Sequence, residues 1–193
     1  MEIKIFSDAI DALEKVAKAV IALQSIPKQE RQRYKAAVKD SYALMNSAVN
    51  LVFLRLGDIL LLDKKGEFLK EVRRLDNAQE WLQLERDVRL CNKLRDVHGE
   101  IDNFVLSRMI IRLGSRDWDK VRQLVDELLE REGTLADYLS ASLRKLARQA
   151  SVATRSSQEY ANLRRSVTQT RRVVERERQR LIASELEFIK VAQ

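Results

Sequence analysis

Only one proline and five glycines interrupt this chain of 193 residues. Because proline and glycine are the residues that most often form turns and end helices, the chain has few places to reverse its direction. Charged residues make up 34% of the sequence, above the roughly one quarter that is usual for a soluble domain. Few turns and many charges together predict long helices with solvated faces.

Apolar residues recur at alternating spacings of three and four, which is the period of a helix with one buried stripe. The stripes predict a short helix at 67–75 and long helices at 3–24, 28–62, 78–113, 116–150 and 156–191. Each of the last four is about 35 residues, or roughly 50 Å long at 1.5 Å per residue. Without any strand signal, the predicted fold is all-α: an elongated bundle of about five long helices and one short helix.

Three glycines fall inside predicted helices: Gly57, Gly99 and Gly133. Gly99 costs about 1 kcal/mol relative to alanine, so a kink or a break there is an open alternative. The apolar register continues through Gly133, which predicts one helix with a weak middle. Ser156 and Glu159 form a capping box at the start of the last helix.

The last two helices are predicted to form an antiparallel hairpin of coiled-coil type, because their heptads are joined by a short loop. This divides the chain into an N-terminal helical bundle, 1–114, and a C-terminal hairpin, 115–193. We expect the two parts to pack together as one domain, because polar residues at hairpin core positions indicate either a partly wet seam or support from the other helices.

The second helix is apolar nearly all round from Leu44 onward, in "LMNSAVNLVFLRLGDILLL". Such a helix lies at the centre of a bundle, in a subunit interface or in a membrane. Arg or Asp at a bilayer centre costs roughly 2.5 to 3.5 kcal/mol, whereas each large apolar residue contributes only about 0.3 to 0.6. Arg55 and Asp58, which are predicted to pair across one turn, therefore favour the bundle or the interface.

Cys91 and His98 are the only cysteine and the only histidine. They lie seven residues apart on one predicted helix, roughly 10 Å along its axis, too far for a thiol–imidazole pair. We interpret Cys91 as a small apolar core residue, and His98 as a structural residue that can bond to Asp102. No phosphate loop or metal-ligand spacing is found, so we predict no catalytic residues, no metal, no cofactor and no small-molecule substrate.

The net charge of +7 is concentrated near the C-terminus, where residues 144–180 hold eleven basic and three acidic residues. Arg164, Arg171 and Arg178 recur every seven residues, just off the buried stripe, where a coiled coil places its flanking charges. Arginine binds phosphate and carboxylate bidentately. The candidate partner-binding or phosphate-binding residues are Arg164, Arg165, Arg171, Arg172, Arg176, Arg178 and Arg180. Four alternative partners stay open for these arginines: acidic residues inside the bundle, an acidic patch on another protein, a nucleic-acid backbone, and an anionic membrane surface.

These observations predict a non-enzymatic helical interaction or assembly module that oligomerises or docks on a larger protein. The alternative is a nucleic-acid-binding accessory protein that uses the arginine-rich last helix. A second alternative is a membrane-perturbing bundle that releases its apolar second helix. The expected location is the cytoplasm, because the N-terminus lacks a basic segment followed by an apolar run.

Overall fold

The computed structural model describes residues 2–23, 27–76, 94–100, 116–154 and 156–192, of which 2–7, 116–118 and 130–139 are described by their backbone alone. This part of the chain is an all-α bundle without strands, as predicted. Its helices are α1 (Glu2–Ala22), α2 (Lys28–Leu60), α3 (Lys65–Arg74), α4 (Arg116–Val152) and α5 (Ser157–Ala192). Residues 94–100 are also helical.

The helix ends agree with the sequence prediction to within two residues. Pro27 caps α2 with φ −54° and ψ 147°, and its carbonyl accepts the Arg31 backbone N–H at 3.0 Å. The Ser156 hydroxyl oxygen accepts the Glu159 backbone N–H at 3.1 Å, as the capping box predicts. The Ser156 side chain satisfies one of the backbone N–H groups that the first turn of a helix leaves without a partner, whereas the Pro27 carbonyl accepts the first regular helical hydrogen bond of α2.

Gly57, Gly99 and Gly133 are all helical. α4 continues unbroken through Gly133, which confirms one helix at this position. Gly99 lies within the helical residues 94–100. The rest of the predicted helix 78–113, including Cys91 and Asp102, lies outside the described residues.

The bundle joins both ends of the chain in one hydrophobic core. α1 packs mainly against α4, and α2 packs mainly against α5, whereas α4 and α5 touch each other much less. The helices of the C-terminal hairpin therefore lean on the N-terminal helices more than on one another. The division at residue 114 stays a prediction.

α2 and α5 run antiparallel, as their contacts show. Near the start of α2, the Lys35 Nζ donates a hydrogen bond of 2.9 Å to the Ala192 carbonyl at the end of α5, and in the middle of α2 the Tyr42 hydroxyl shares a hydrogen bond of 2.7 Å with Ser184. At the end of α2, the Leu60 carbonyl accepts a hydrogen bond from Arg164, early in α5. This pairing sets which face of each helix is covered.

α2 was expected to lie at the centre of the bundle or in a subunit interface, and within the described part of the chain one of its faces is not covered. Leu51 and Leu54 are 47% and 51% exposed, although Leu56 beside them is fully buried. The reason is that α2 packs mainly on α5, with smaller contacts to α1 and α3, so its opposite side has no neighbour among these helices. An apolar helix face is left uncovered.

Candidate functional site

The arginines spaced by seven residues lie against α2. Arg164 donates one hydrogen bond to the Leu60 carbonyl at 2.9 Å and another to the Leu62 carbonyl at 3.3 Å. Carbonyls at the end of a helix lack intrahelical partners and carry partial negative charge, so a guanidinium there both caps the helix and complements its dipole. Arg164 therefore caps the C-terminal end of α2.

Arg171 and Arg178 lie on the ring of Phe53. Their guanidinium carbons are 4.1 and 4.6 Å from the ring centroid, within the range of a cation–π interaction. Arg178 also donates a hydrogen bond of 3.0 Å to the Asn50 side-chain oxygen. The absence of a side chain at Gly57 allows Arg171 to lie close to α2, because a Cβ at Gly57 would be 3.2 Å from the Arg171 Nε.

Arg180 faces α1 instead, where it pairs with Asp11 and also lies 3.6 Å from Glu14. Burial alone would lower the pKa of Arg180. The hydrogen bond and charge of Asp11, with Glu14 and Glu177, outweigh burial and raise that pKa above its ordinary value. Ion pairs inside the bundle were one alternative for the candidate arginines, and Arg180 forms such a pair with acids of α1.

Arg176 binds a buried carboxylate. Its Nη2 and Nε donate to Glu177 Oε1 at 2.9 and 3.1 Å, and Glu177 is only 4% exposed. The other carboxylate oxygen, Glu177 Oε2, is buried without a hydrogen bond. An ion pair of this kind does little for stability, because removing a carboxylate from water is costly.

Arg165 and Arg172 point away from the bundle. Arg165 is exposed and donates a hydrogen bond of 2.6 Å to the Asn162 side chain. Arg172 is exposed, and within the described part of the chain it has no hydrogen bond or ion pair. Of the seven candidate arginines, these two offer the freest guanidinium groups to a ligand.

His98 is buried and bonds to Tyr34 of α2 through its Nδ1. In the same segment, Glu100 pairs with Arg33, so the helical residues 94–100 are fastened to the start of α2. This geometry is what a structural histidine requires, because a buried polar group is costly unless it is hydrogen-bonded. The described residues contain no group of three His, Cys, Asp or Glu side chains that could hold a metal ion.

Among the described helices, α2 alone is long and apolar enough to cross a membrane, with a mean hydropathy of 1.3 over its most apolar window. Core helices of soluble bundles share this property. Arg55 in α2 pairs with Glu71 of α3 at 2.9 Å, so the predicted pair with Asp58 is wrong. Asp58 is exposed, whereas Glu71 lies on the neighbouring helix at the level of Arg55.

The uncovered surface of α2 consists of residues that follow a second heptad spacing. We call this surface the outer face of α2; it consists of the exposed residues Ala36, Ala43, Ser47 and Leu54, with Leu61 just past the end of the helix. Asn50 lies among them and is half-buried, and Leu51 borders them. The exposed charged residues Lys39 and Asp58 also border this face. Sequence reasoning missed this face because it assigned a single stripe to α2, although the spacing of seven from Ala36 to Ala43 and from Leu54 to Leu61 was visible.

Comparisons with known protein families, curated proteins and solved structures returned no match. Function is therefore inferred from the residues of the chain itself.

Proposed function

We propose that this protein is a non-enzymatic helical assembly module that pairs with a second copy of itself through the outer face of α2. The observation that carries this proposal is the exposure of Leu54 and Leu61, at 51% and 80%, on a helix whose opposite side is buried. No charged residue occurs between positions 41 and 54. Exposed apolar helix surfaces of this kind are typical of interaction sites.

We favour a second copy of the chain as the binding partner because the outer face is complementary to itself when two α2 helices run antiparallel. Its first half holds small side chains and its second half holds leucines. When two α2 helices run antiparallel about a point between residues 48 and 49, Leu54 of each lies opposite Ala43 of the other. Leu61 then lies opposite Ala36, and large residues fill the space beside small ones, as close packing of helices requires.

The same register matches the polar residues of the face. Asn50 of one copy lies opposite Ser47 of the other, so an amide and a hydroxyl meet near the two-fold axis. Polar pairs at such core positions fix register and orientation in helix dimers. Leu51 of one copy then lies near Leu44 of the other, at the edge of the contact. A two-fold contact uses one surface twice, which is the commonest symmetry of soluble oligomers.

Analytical ultracentrifugation over a wide range of protein concentration tests the proposal. The wild type should sediment as a dimer whose fraction rises with concentration, and Leu54→Glu should shift it to a monomer because a carboxylate would be buried against Ala43. The matched control is Val152→Glu, a change at another exposed apolar residue, 46% exposed at the end of α4. This control should leave the dimer intact.

Two results would overturn the proposal. One is a wild type that remains monomeric at every concentration. The other is a dimer that Leu54→Glu and Val152→Glu weaken equally, since the interface would then lie elsewhere. Circular dichroism of both variants must show the wild-type helical spectrum, so that a change in assembly is not a change in folding.

A further inference from the structure

The outward surface of α5 near its start is concave and basic. A depression of about 700 Å³ is lined on the α5 side by Tyr160, Ala161, Arg164, Arg165, Thr168, Gln169 and Arg172. Three of these seven side chains are arginine, and none is Asp or Glu. They recur at helical spacing, so they share one side of the helix.

A fourth cation borders this surface. The Lys65 Nζ lies 5.4 Å from the centre of the Tyr160 ring, and among the described residues it has no ion pair. We call the three side chains Lys65, Arg165 and Arg172 the outer basic patch. Arg164 lies between them, but its guanidinium is held by backbone carbonyls and the Tyr160 hydroxyl. None of the three is paired with a carboxylate in the described part of the chain, and Arg165 is held by an amide oxygen.

The patch has charge without an exposed apolar anchor. Its aromatic residue, Tyr160, is half-buried, packs edge-on against Phe68 at 5.5 Å, and lies beneath Lys65. Protein interfaces are centred on large apolar or aromatic side chains, and helices that bind membrane surfaces insert such side chains into the lipid. Neither occupant therefore fits the residues that line the depression.

Phosphate contacts need no apolar anchor. Guanidinium groups bind phosphate oxygens bidentately, and binding to a nucleic-acid backbone is electrostatic and independent of sequence. Arg165 and Arg172 are seven residues apart, about 10 Å along the helix, so the two can reach different phosphates of one strand. Because the Tyr160 ring is covered, base stacking would not contribute.

We propose that the outer basic patch binds the phosphodiester backbone of nucleic acid without regard to sequence. This inference is independent of the proposed self-association, because the patch lies on α5 and the start of α3, and the outer face lies on α2. It also differs from the sequence prediction, which included all seven arginines. The proposal leaves out five of them, which are used within the bundle: Arg164, Arg171, Arg176, Arg178 and Arg180.

Fluorescence anisotropy with a short labelled DNA duplex of arbitrary sequence tests the patch. If three cations contact phosphates, the affinity of the full chain should fall about 40-fold between about 50 and about 200 mM salt. Arg165→Glu with Arg172→Glu should weaken binding at low salt at least about tenfold and make the salt dependence shallower. Arg165→Lys with Arg172→Lys should retain most of the binding, because lysine keeps the charge.

The matched control reverses two exposed arginines of α4, in Arg144→Glu with Arg148→Glu. It changes the net charge by the same amount and should keep the affinity within about twofold of the wild type. Equal losses in both double variants would overturn the proposal, because net charge alone would then explain binding. No binding of the wild-type chain to the duplex at low salt would overturn it too.

Two further probes separate the nucleic-acid backbone from other polyanions. Vesicles of phosphatidylcholine with phosphatidylserine, and polyglutamate, should both bind much more weakly than the duplex at equal salt. Tighter binding to the vesicles would overturn the proposal in favour of a membrane surface. Binding of polyglutamate as tight as that of the duplex would overturn it in favour of an acidic protein.

Discussion

Arg171 and Arg178 are predicted to hold α2 against α5, whereas Arg165 and Arg172 are predicted to contribute little to stability. Both pairs lie on one helix with the same spacing of seven residues. Replacing either pair with glutamate changes the net charge equally and has a small effect on helix propensity. Arg171 and Arg178, the inner pair, contact Phe53 and Asn50, whereas Arg165 and Arg172, the outer pair, do not. Any difference in stability between the two double variants therefore comes from these contacts.

The magnitude for the inner pair follows from the contacts. A cation–π contact contributes about 0.5 to 1 kcal/mol when exposed and about 2 when desolvated, and both guanidinium groups are half-buried on the Phe53 ring. The hydrogen bond from Arg178 to Asn50 adds about 1 kcal/mol or more, since its donor is charged. Arg171→Glu with Arg178→Glu should therefore lower the free energy of unfolding by about 3 to 5 kcal/mol.

Thermal and urea unfolding followed by circular dichroism measure this difference. For a chain of this size, about 1 kcal/mol shifts Tm by roughly 2 to 4 °C, so the inner pair should lower Tm by about 10 °C. Arg165→Glu with Arg172→Glu should change the free energy of unfolding by less than about 1 kcal/mol, as exposed charges do. Equal destabilisation by the two double variants, or a neutral inner pair, would refute the assignment of the inner arginines to α2.

Three further predictions concern single side chains. Glu177→Leu should raise the free energy of unfolding by about 1 to 3 kcal/mol in urea, because a buried carboxylate is removed and its partner Arg176 stays hydrated; a less stable variant would contradict this. Burial raises the pKa of Tyr42 to about 12, so the folded protein keeps a proton that the unfolded chain releases near pH 10. The stability that depends on this proton is complete below about pH 10 and is lost as the pH rises to about 12. Over this range the free energy of unfolding of the wild type should therefore fall by about 2 kcal/mol more than that of Tyr42→Phe. Equal falls in the two proteins would contradict this prediction. Gly57→Ala should stabilise an Arg171→Ala background by about 1 kcal/mol and the wild type by less, because only the wild type has a guanidinium in contact with the new Cβ; equal effects would contradict the close approach.

The helices and much of the core could be predicted from the sequence because both depend on local periodicity. The stripe of α3 illustrates this: Phe68, Leu69, Val72 and Leu75 were expected to face inward, and all four are buried. The start of α5 was equally readable, from the Ser156 cap. Such signals act within a few residues of one another.

The arginine contacts could be predicted only in part because they depend on how α2 and α5 pair. The spacing of seven placed Arg164, Arg171 and Arg178 beside the buried stripe, and there they lie. Their partners are an aromatic ring, an asparagine and two helix-end carbonyls rather than carboxylates. Pairing basic residues with acidic residues in the sequence does not find partners of these kinds.

The outer face of α2 could not be predicted because burial depends on which neighbours a helix has. All-round apolarity led to the expectation of all-round cover. The described helices cover α2 on the sides of α5, α1 and α3, and Leu51 and Leu54 remain exposed. The sequence predicted that α2 needs cover on several sides, and the structure shows which of its faces the described helices leave exposed.

Disulfide cross-linking between two single-cysteine variants tests the self-association most directly. In a Cys91→Ser background, Ala43→Cys and Leu54→Cys are prepared separately and then mixed under mild oxidation. The proposed antiparallel register places position 43 of one copy opposite position 54 of the other, while like positions lie about 16 Å apart along the helix. Because a disulfide requires Cα atoms within about 7 Å, the mixture should form a covalent dimer and neither variant alone should. Absence of cross-linking in the mixture, or cross-linking of each variant with itself, would contradict a dimer formed through the outer face of α2.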